Sequence, residues 1–166
     1  AKTAIKRLCD LEAAMSKLEG IATFQPFSLP IHAAIAMQCG HHSSRDIRQH
    51  ALMSLQRLVM SRPWRSGADL NVEFDSVLFT LLDELQSDAM VKLNGTVEDT
   101  QMAAASFVTK VFLNNLPLLQ QGDPSIMTKT LLTLLQKLLS FLRFRSDTLI
   151  EGIPETVKNV LFVLKT

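Results

Sequence analysis

From Ile5 to Leu164 apolar residues recur every three or four positions, and no stretch alternates with the period of two that a half-buried strand requires. This restricts the chain to helices, and the breaks in the pattern divide them. The first helix spans 3–19, with Ile5, Leu8, Leu11, Met15 and Leu18 on one face and Gly20 as its stop. Ser28 caps a second, with Pro30 in its first turn, which carries Leu29, Ile31, Ala34, Ile35 and Met37 as far as Gly40. The third runs from Ser44 to Ser61 on a stripe of Ile47, Ala51, Leu55, Leu58 and Val59. Residues 62–71, "RPWRSGADLN", read as a loop because Pro63 disfavours helix and Gly67 and Asp69 supply turn chemistry.

A fourth helix covers 72–86, and a polar segment around Asn94 and Gly95 separates it from a fifth over 96–116. Thr96 heads that helix, with Glu98 and Asp99 near the positive end of its dipole. Asp123 and Pro124 open a sixth, 124–144, whose narrow polar stripe of Lys129, Thr133, Gln136, Ser140 and Arg143 predicts packing on several sides. Gly152 and Pro154 predict a short helix and a kink within 146–164. The expectation is an all-α, HEAT/armadillo-like array of antiparallel helical hairpins, an α-α superhelix of about seven or eight helices, with residues 1–166 forming one domain.

With 47% hydrophobic and 20% charged residues, a chain of 166 residues has the composition of a single globular domain. Its 17 basic residues nearly cancel its 16 acidic ones, which leaves none of the field expected of a nucleic-acid binder. The first residue is Ala1 and the first helix matches no targeting peptide, so the sequence reads as a piece of a longer protein. Lys129, Lys137 and Arg143 interrupt the most apolar stretch, 125–144, which argues against a membrane span.

Chemistry is sparse. Cys39, His41, His42 and His50 crowd together, but adjacent histidines in a Gly-Ser turn do not converge on a tetrahedral centre, so no metal and no cofactor is expected. Asp83 with Glu84, or Glu98 with Asp99, lacks a complementary base or nucleophile. No catalytic residue is assigned. "SRPWR" is the candidate contact surface: Arg62, Trp64 and Arg65 offer a Trp between two cations, suited to a partner protein or to lipid headgroups, the alternative being that Trp64 folds back to plug a gap between the third and fourth helices. Asp46, Arg48, Ala51 and Leu55 follow the order of the second helix of a HEAT repeat, with Ala51 allowing close approach and Asp46 and Arg48 tying neighbouring turns.

Four blocks, "RDIRQHALMSLQRLVM", "FDSVLFTLLDEL", "FVTKVFLNNLPLL" and "EGIPETVKNVLFVL", follow one another in an order that resembles the C-terminal region of the large Golgi-type, brefeldin A-resistance class of Arf guanine nucleotide exchange factors. The IPE-x-x-K-N-x-L-x-V pattern from Ile153 to Val163 is the most specific part. The resemblance implies a HEAT-like, homology-downstream-of-Sec7 region lying after the catalytic Sec7 domain. It implies a non-enzymatic, regulatory role: peripheral recruitment to Golgi membranes from the cytoplasm, contacts with Arf or Rab-type GTPases or adaptor proteins, and packing against other domains of the same exchange factor. A generic HEAT scaffold from another transport or signalling complex is the alternative.

Overall fold

A computed structural model describes residues 1–16, 28–91 and 97–165, and every regular element among them is a helix. In chain order these are α1 Lys2–Ser16, α2 Ser28–His41, α3 Arg45–Ser61, α4 Gly67–Glu73, a π turn Phe74–Leu78, α5 Phe79–Glu84, α6 Asp88–Val91, α7 Glu98–Asn114, α8 Leu116–Gln120, α9 Pro124–Ser140, a 3-10 turn Phe141–Phe144, and α10 Asp147–Lys165. The expected stop at Gly20, the separating segment around Asn94 and Gly95, and the helix start at Thr96 lie outside the described residues. The hairpins stack as a helical-repeat array: α2 packs on α3, α1 on both, α3 on α7, α7 on α10, and α9 bridges α5 and α10.

One continuous core runs through the array, from Ile5 and Ile35 through Leu55, Phe74 and Leu82 to Phe112, Leu138 and Ile153. Phe74 sits at its centre, 5.4 Å from the Phe79 ring and edge-on to Phe112 at 6.3 Å. Aromatic pairs in such tilted and edge-to-face geometry add to the stabilisation from burial alone. Ala51 is fully buried, as its place at the α3 crossing requires.

Several local expectations give way to tertiary structure. Residues 67–71 are helical rather than loop, because the Ser66 hydroxyl accepts the Asp69 amide at 3.1 Å and starts α4 a full turn before Val72. That is a Ser-x-x-Asp cap read too weakly against the adjacent Gly and Pro signals. The π turn follows at once and joins α4 to α5. α7 stops at Asn114 because Pro117 cannot continue it, so 116–120 form the separate helix α8. Neither Gly152 nor Pro154 breaks α10. A Cβ at Gly152 would stand 2.6 Å from Met102 Sδ, so this glycine serves the close crossing of α10 on α7.

Gly40 works the same way. It is buried and helical, and a Cβ there would lie 2.5 Å from Glu84 Cβ, which cannot swing aside as a side-chain tip can. α9 also departs from expectation. Its polar groups bond across to the α4–α5 rod, with Lys137 Nζ at 2.6 Å from the Asp83 carboxylate, Lys129 Nζ at 3.5 Å from Asp75, and the Ser140 hydroxyl at 2.5 Å from Gln86 Oε1. Arg143 donates to the Gln86 carbonyl. Leu132 and Leu139 are left facing solvent, while the rest of α9 packs against α4, α5, α8 and α10.

Gly40→Ala is expected to destabilise the chain by about 1–3 kcal/mol through overpacking against Glu84, despite the better helix propensity of Ala. Urea denaturation measures it. Leu55→Asp, which places a charge at a fully buried position, is expected to remove the cooperative thermal transition altogether.

Candidate functional site

α1 continues its inner face Ile5, Leu8, Cys9 with Glu12, one turn further on; Leu11, expected on that face, is 51% exposed. α2 carries His32 in the same register as Ile35, Ala36 and Cys39, and α4 ends with Glu73 one turn after Leu70. These positions bring three ionisable groups together in the core. His32 Nδ1 lies 2.6 Å from Glu73 Oε1 and Nε2 lies 2.8 Å from Glu12 Oε1, with the imidazole wholly inaccessible to solvent. Arg62 completes the group: its guanidinium donates to the Ser28 hydroxyl and stands 3.9 Å from Glu73 Oε2.

A neutral imidazole has one N–H, whereas two carboxylates are both acceptors. The arrangement therefore calls for imidazolium. Burial alone pushes the pKa of His32 down, but the hydrogen bonds and charges of Glu12 and Glu73 outweigh it and raise the value from 6.5 to about 9. The formal charges of Glu12, His32, Glu73 and Arg62 cancel, which is the condition for holding ions in a low-dielectric interior. The imidazole is shut off from solvent while Glu12 and Arg62 reach the edge of a surface depression, and together with Glu73 they form a strut joining α1, α2, α4 and the loop after α3.

The residues singled out in the sequence separate. In the 62–65 loop, Arg62 is turned inward to Ser28 and Glu73, with its guanidinium 4.8 Å over the Trp64 ring. Trp64 is half-buried against the core and Arg65 is exposed. Cys39 is fully buried, and burial pushes its thiol up to about 12, far from a thiolate. His41 Nε2 meets Glu84 at 3.0 Å, and His42 Nδ1 accepts the Ser44 amide at 3.0 Å. His50 lies on the α1–α3 groove. Among the described residues no three His, Cys, Asp or Glu side chains converge as a metal-ligand set.

Arg48 and Asp46 each reach a neighbouring segment, Arg48 the end of α2 and Asp46 the start of α1. Arg48 is fully buried and donates to the carbonyls of His42 at 2.9 Å and Ser43 at 2.6 Å, capping the C-terminal end of α2, where free carbonyls collect. Asp46 stays exposed, 3.9 Å from Lys2. Sequence reading missed Glu12, His32 and Glu73. The available signal was a charged or polar residue in core register on three helices, each unremarkable alone.

Linkage fixes the sign of the pH dependence. Because the folded-state pKa of His32 lies above its unfolded value, its contribution is complete below about pH 6.5 and is lost as pH rises through about 9. Across that window urea-derived stability is expected to fall by an amount on the order of 3 kcal/mol. His32→Gln is expected to be less stable at pH 6.5 and to show a nearly flat profile from 6.5 to 9. A wild-type profile equally flat over this range would contradict the imidazolium assignment.

Comparison with known proteins gives a consistent placement. The family described as GBF1-like, tetratrico peptide repeat region, matches residues 28–166, which is α2 through α10. The ARF guanine-nucleotide exchange factor GNOM of Arabidopsis thaliana is 35% identical over 136 residues, 73% of this chain and 9% of the relative. The ARF guanine-nucleotide exchange factor GNL1 of the same organism is 32% identical over 136 residues, 72% of this chain and 9% of the relative. No solved structure matches the chain. Tetratrico peptide repeats, like HEAT repeats, are stacked helix–turn–helix units, and the chain spans about 9% of the length of the relatives it matches. The array of helical hairpins and the match from Ser28 onward together show that this chain belongs to the GBF1-like tetratrico peptide repeat region family.

Proposed function

We propose that this chain is a non-catalytic regulatory and targeting region of a large guanine nucleotide exchange factor for Arf GTPases. The observation that carries the reading is the identity to two such exchange factors over most of a chain whose residues 28–166 match a repeat-region family. The internal chemistry agrees with it: Glu12, His32, Glu73, Arg62 and Arg48 are all engaged in joining helices. In this reading the array supports recruitment of the parent protein from the cytoplasm to the Golgi surface and presents faces to other domains of the same protein, to Arf or Rab-type GTPases, or to adaptor proteins in vesicle trafficking. None of the described helices is long and apolar enough to cross a membrane.

The 62–65 loop is the proposed contact for lipid headgroups. Arg65 supplies an exposed cation, and Trp64 leaves part of an amphipathic ring at the surface, the combination that favours a membrane interface. Arg62 contributes by holding Trp64 from behind through the ring stack.

Sedimentation with phosphoinositide-containing vesicles is expected to retain the wild-type chain and to lose most of the Trp64→Ala/Arg65→Ala variant. Failure of the wild type to sediment would remove lipid from the proposal and leave protein contacts. In a fluorescent-GDP release assay on an Arf GTPase, the chain alone is expected to leave the rate at its uncatalysed value. Measurable acceleration would overturn the non-catalytic assignment.

A further inference from the structure

α1 and α3 begin together, with Lys2 Nζ 3.9 Å from the Asp46 carboxylate, and end together, with Ala13 and Arg62 lining one surface depression. They therefore run parallel, as equivalent helices of successive hairpins do. Between the first part of α1 and the middle of α3 lies an open groove of about 680 Å³. Arrays of helical repeats recognise extended partners along such surfaces.

The groove combines two properties. Its charged rim is cationic: Lys2, Lys6 and Arg57 against one carboxylate, Asp10, with His50 beside them. Lys2 is offset by Asp46, but Lys6 and Arg57 are exposed and form no ion pair among the described residues. Between these cations Met53 is 70% exposed, a large flexible apolar side chain left in water at the lip, above the buried Cys9. Methionine at a surface groove suits a partner that covers it with an apolar side chain of variable shape.

We propose that the α1–α3 groove binds an acidic peptide segment carrying apolar anchors, with its carboxylates at Lys6 and Arg57 and an apolar side chain over Met53. A concave site favours a peptide over a membrane, because a bilayer surface cannot enter a groove. The groove adjoins, along Arg57, the depression lined by Arg62 and Pro63, and Trp64→Ala/Arg65→Ala, which leaves Lys6, Met53 and Arg57 in place, is expected to leave peptide binding intact and so keeps the two readings distinguishable.

The test is fluorescence anisotropy with a fluorescein-labelled 12-residue peptide of three Glu-Asp-Leu-Phe repeats and a counterpart of three Lys-Arg-Leu-Phe repeats. The acidic peptide is expected to bind saturably and to weaken as salt rises. The basic one is expected not to bind. Lys6→Glu/Arg57→Glu is expected to lose about tenfold or more in affinity, the equivalent of 1.4 kcal/mol. Met53→Ala is expected to weaken binding while leaving the salt dependence intact. All three positions are exposed, so unchanged thermal melts confirm that the variants fold. Equal binding of both peptides, unaltered affinity in the charge-reversed variant, or no saturable signal would overturn the proposal. So would loss of anionic-vesicle binding in Lys6→Glu/Arg57→Glu without any peptide binding, which would assign these cations to a lipid surface.

Discussion

An imidazolium held between two carboxylates in the core is the constraint on which this end of the array depends. His32 reaches Glu12 on α1 and Glu73 at the end of α4 with its two ring nitrogens, and Arg62 closes the far side of Glu73. Apolar side chains meet in many ways, but two N–H vectors on a rigid ring admit few. The cluster therefore fixes how α1 and α4 sit on α2 more narrowly than Ile5, Ile35 and Leu70 would. Buried ion pairs contribute little net stability compared with well-packed apolar residues, yet removing a single partner leaves an uncompensated charge and costs about 3–5 kcal/mol. We infer that the cluster serves register.

From that constraint the surface follows. Once α1 is locked onto α2, it lies parallel to α3, and the groove between them exists because neither helix fills it. Arg48 performs a comparable task at the opposite end of α2, where it caps the His42 and Ser43 carbonyls and sets the sharp turn into α3. At the far side of the array, Asp83, Lys137, Gln86, Ser140 and Arg143 form a polar seam that sets how α9 lies along α5. Apolar burial supplies the driving force for this fold, and buried or seam-bound polar groups choose among the packings that burial allows.

The helical class was legible because the 3.6-residue period recurs along the chain, α3 begins where Ser44 predicts it, and α7 fills most of the span predicted for the fifth helix. What was not legible involves two elements at once. Gly40, Gly152 and Pro154 look like helix breakers in one dimension, but the two glycines are sites of close helix approach, and Pro154 is carried within a helix held by Leu149, Ile153 and Val160. Glu12 and Glu73 look like ordinary surface acids until their register with Ile5 and Leu70 is counted. Nothing in "SRPWR" itself signals which way each side chain faces, and Arg62 is turned in by a glutamate eleven positions later in the chain. In each case a local signal was overridden by a neighbour far away in sequence.

The chain belongs to a repeat region and matches exchange factors many times its length, and its buried polar groups join one helix to the next. The packing of α1 and α4 on α2 rests on the charge of His32. Nitrogen-15 NMR of the imidazole at pH 7.5 reads that charge, with the signals assigned through His32→Gln. Protons are expected on both Nδ1 and Nε2, persisting toward pH 9. A single-protonated, neutral tautomer at pH 7.5 would contradict it, because one of the two carboxylates would then face a ring nitrogen with no proton to donate.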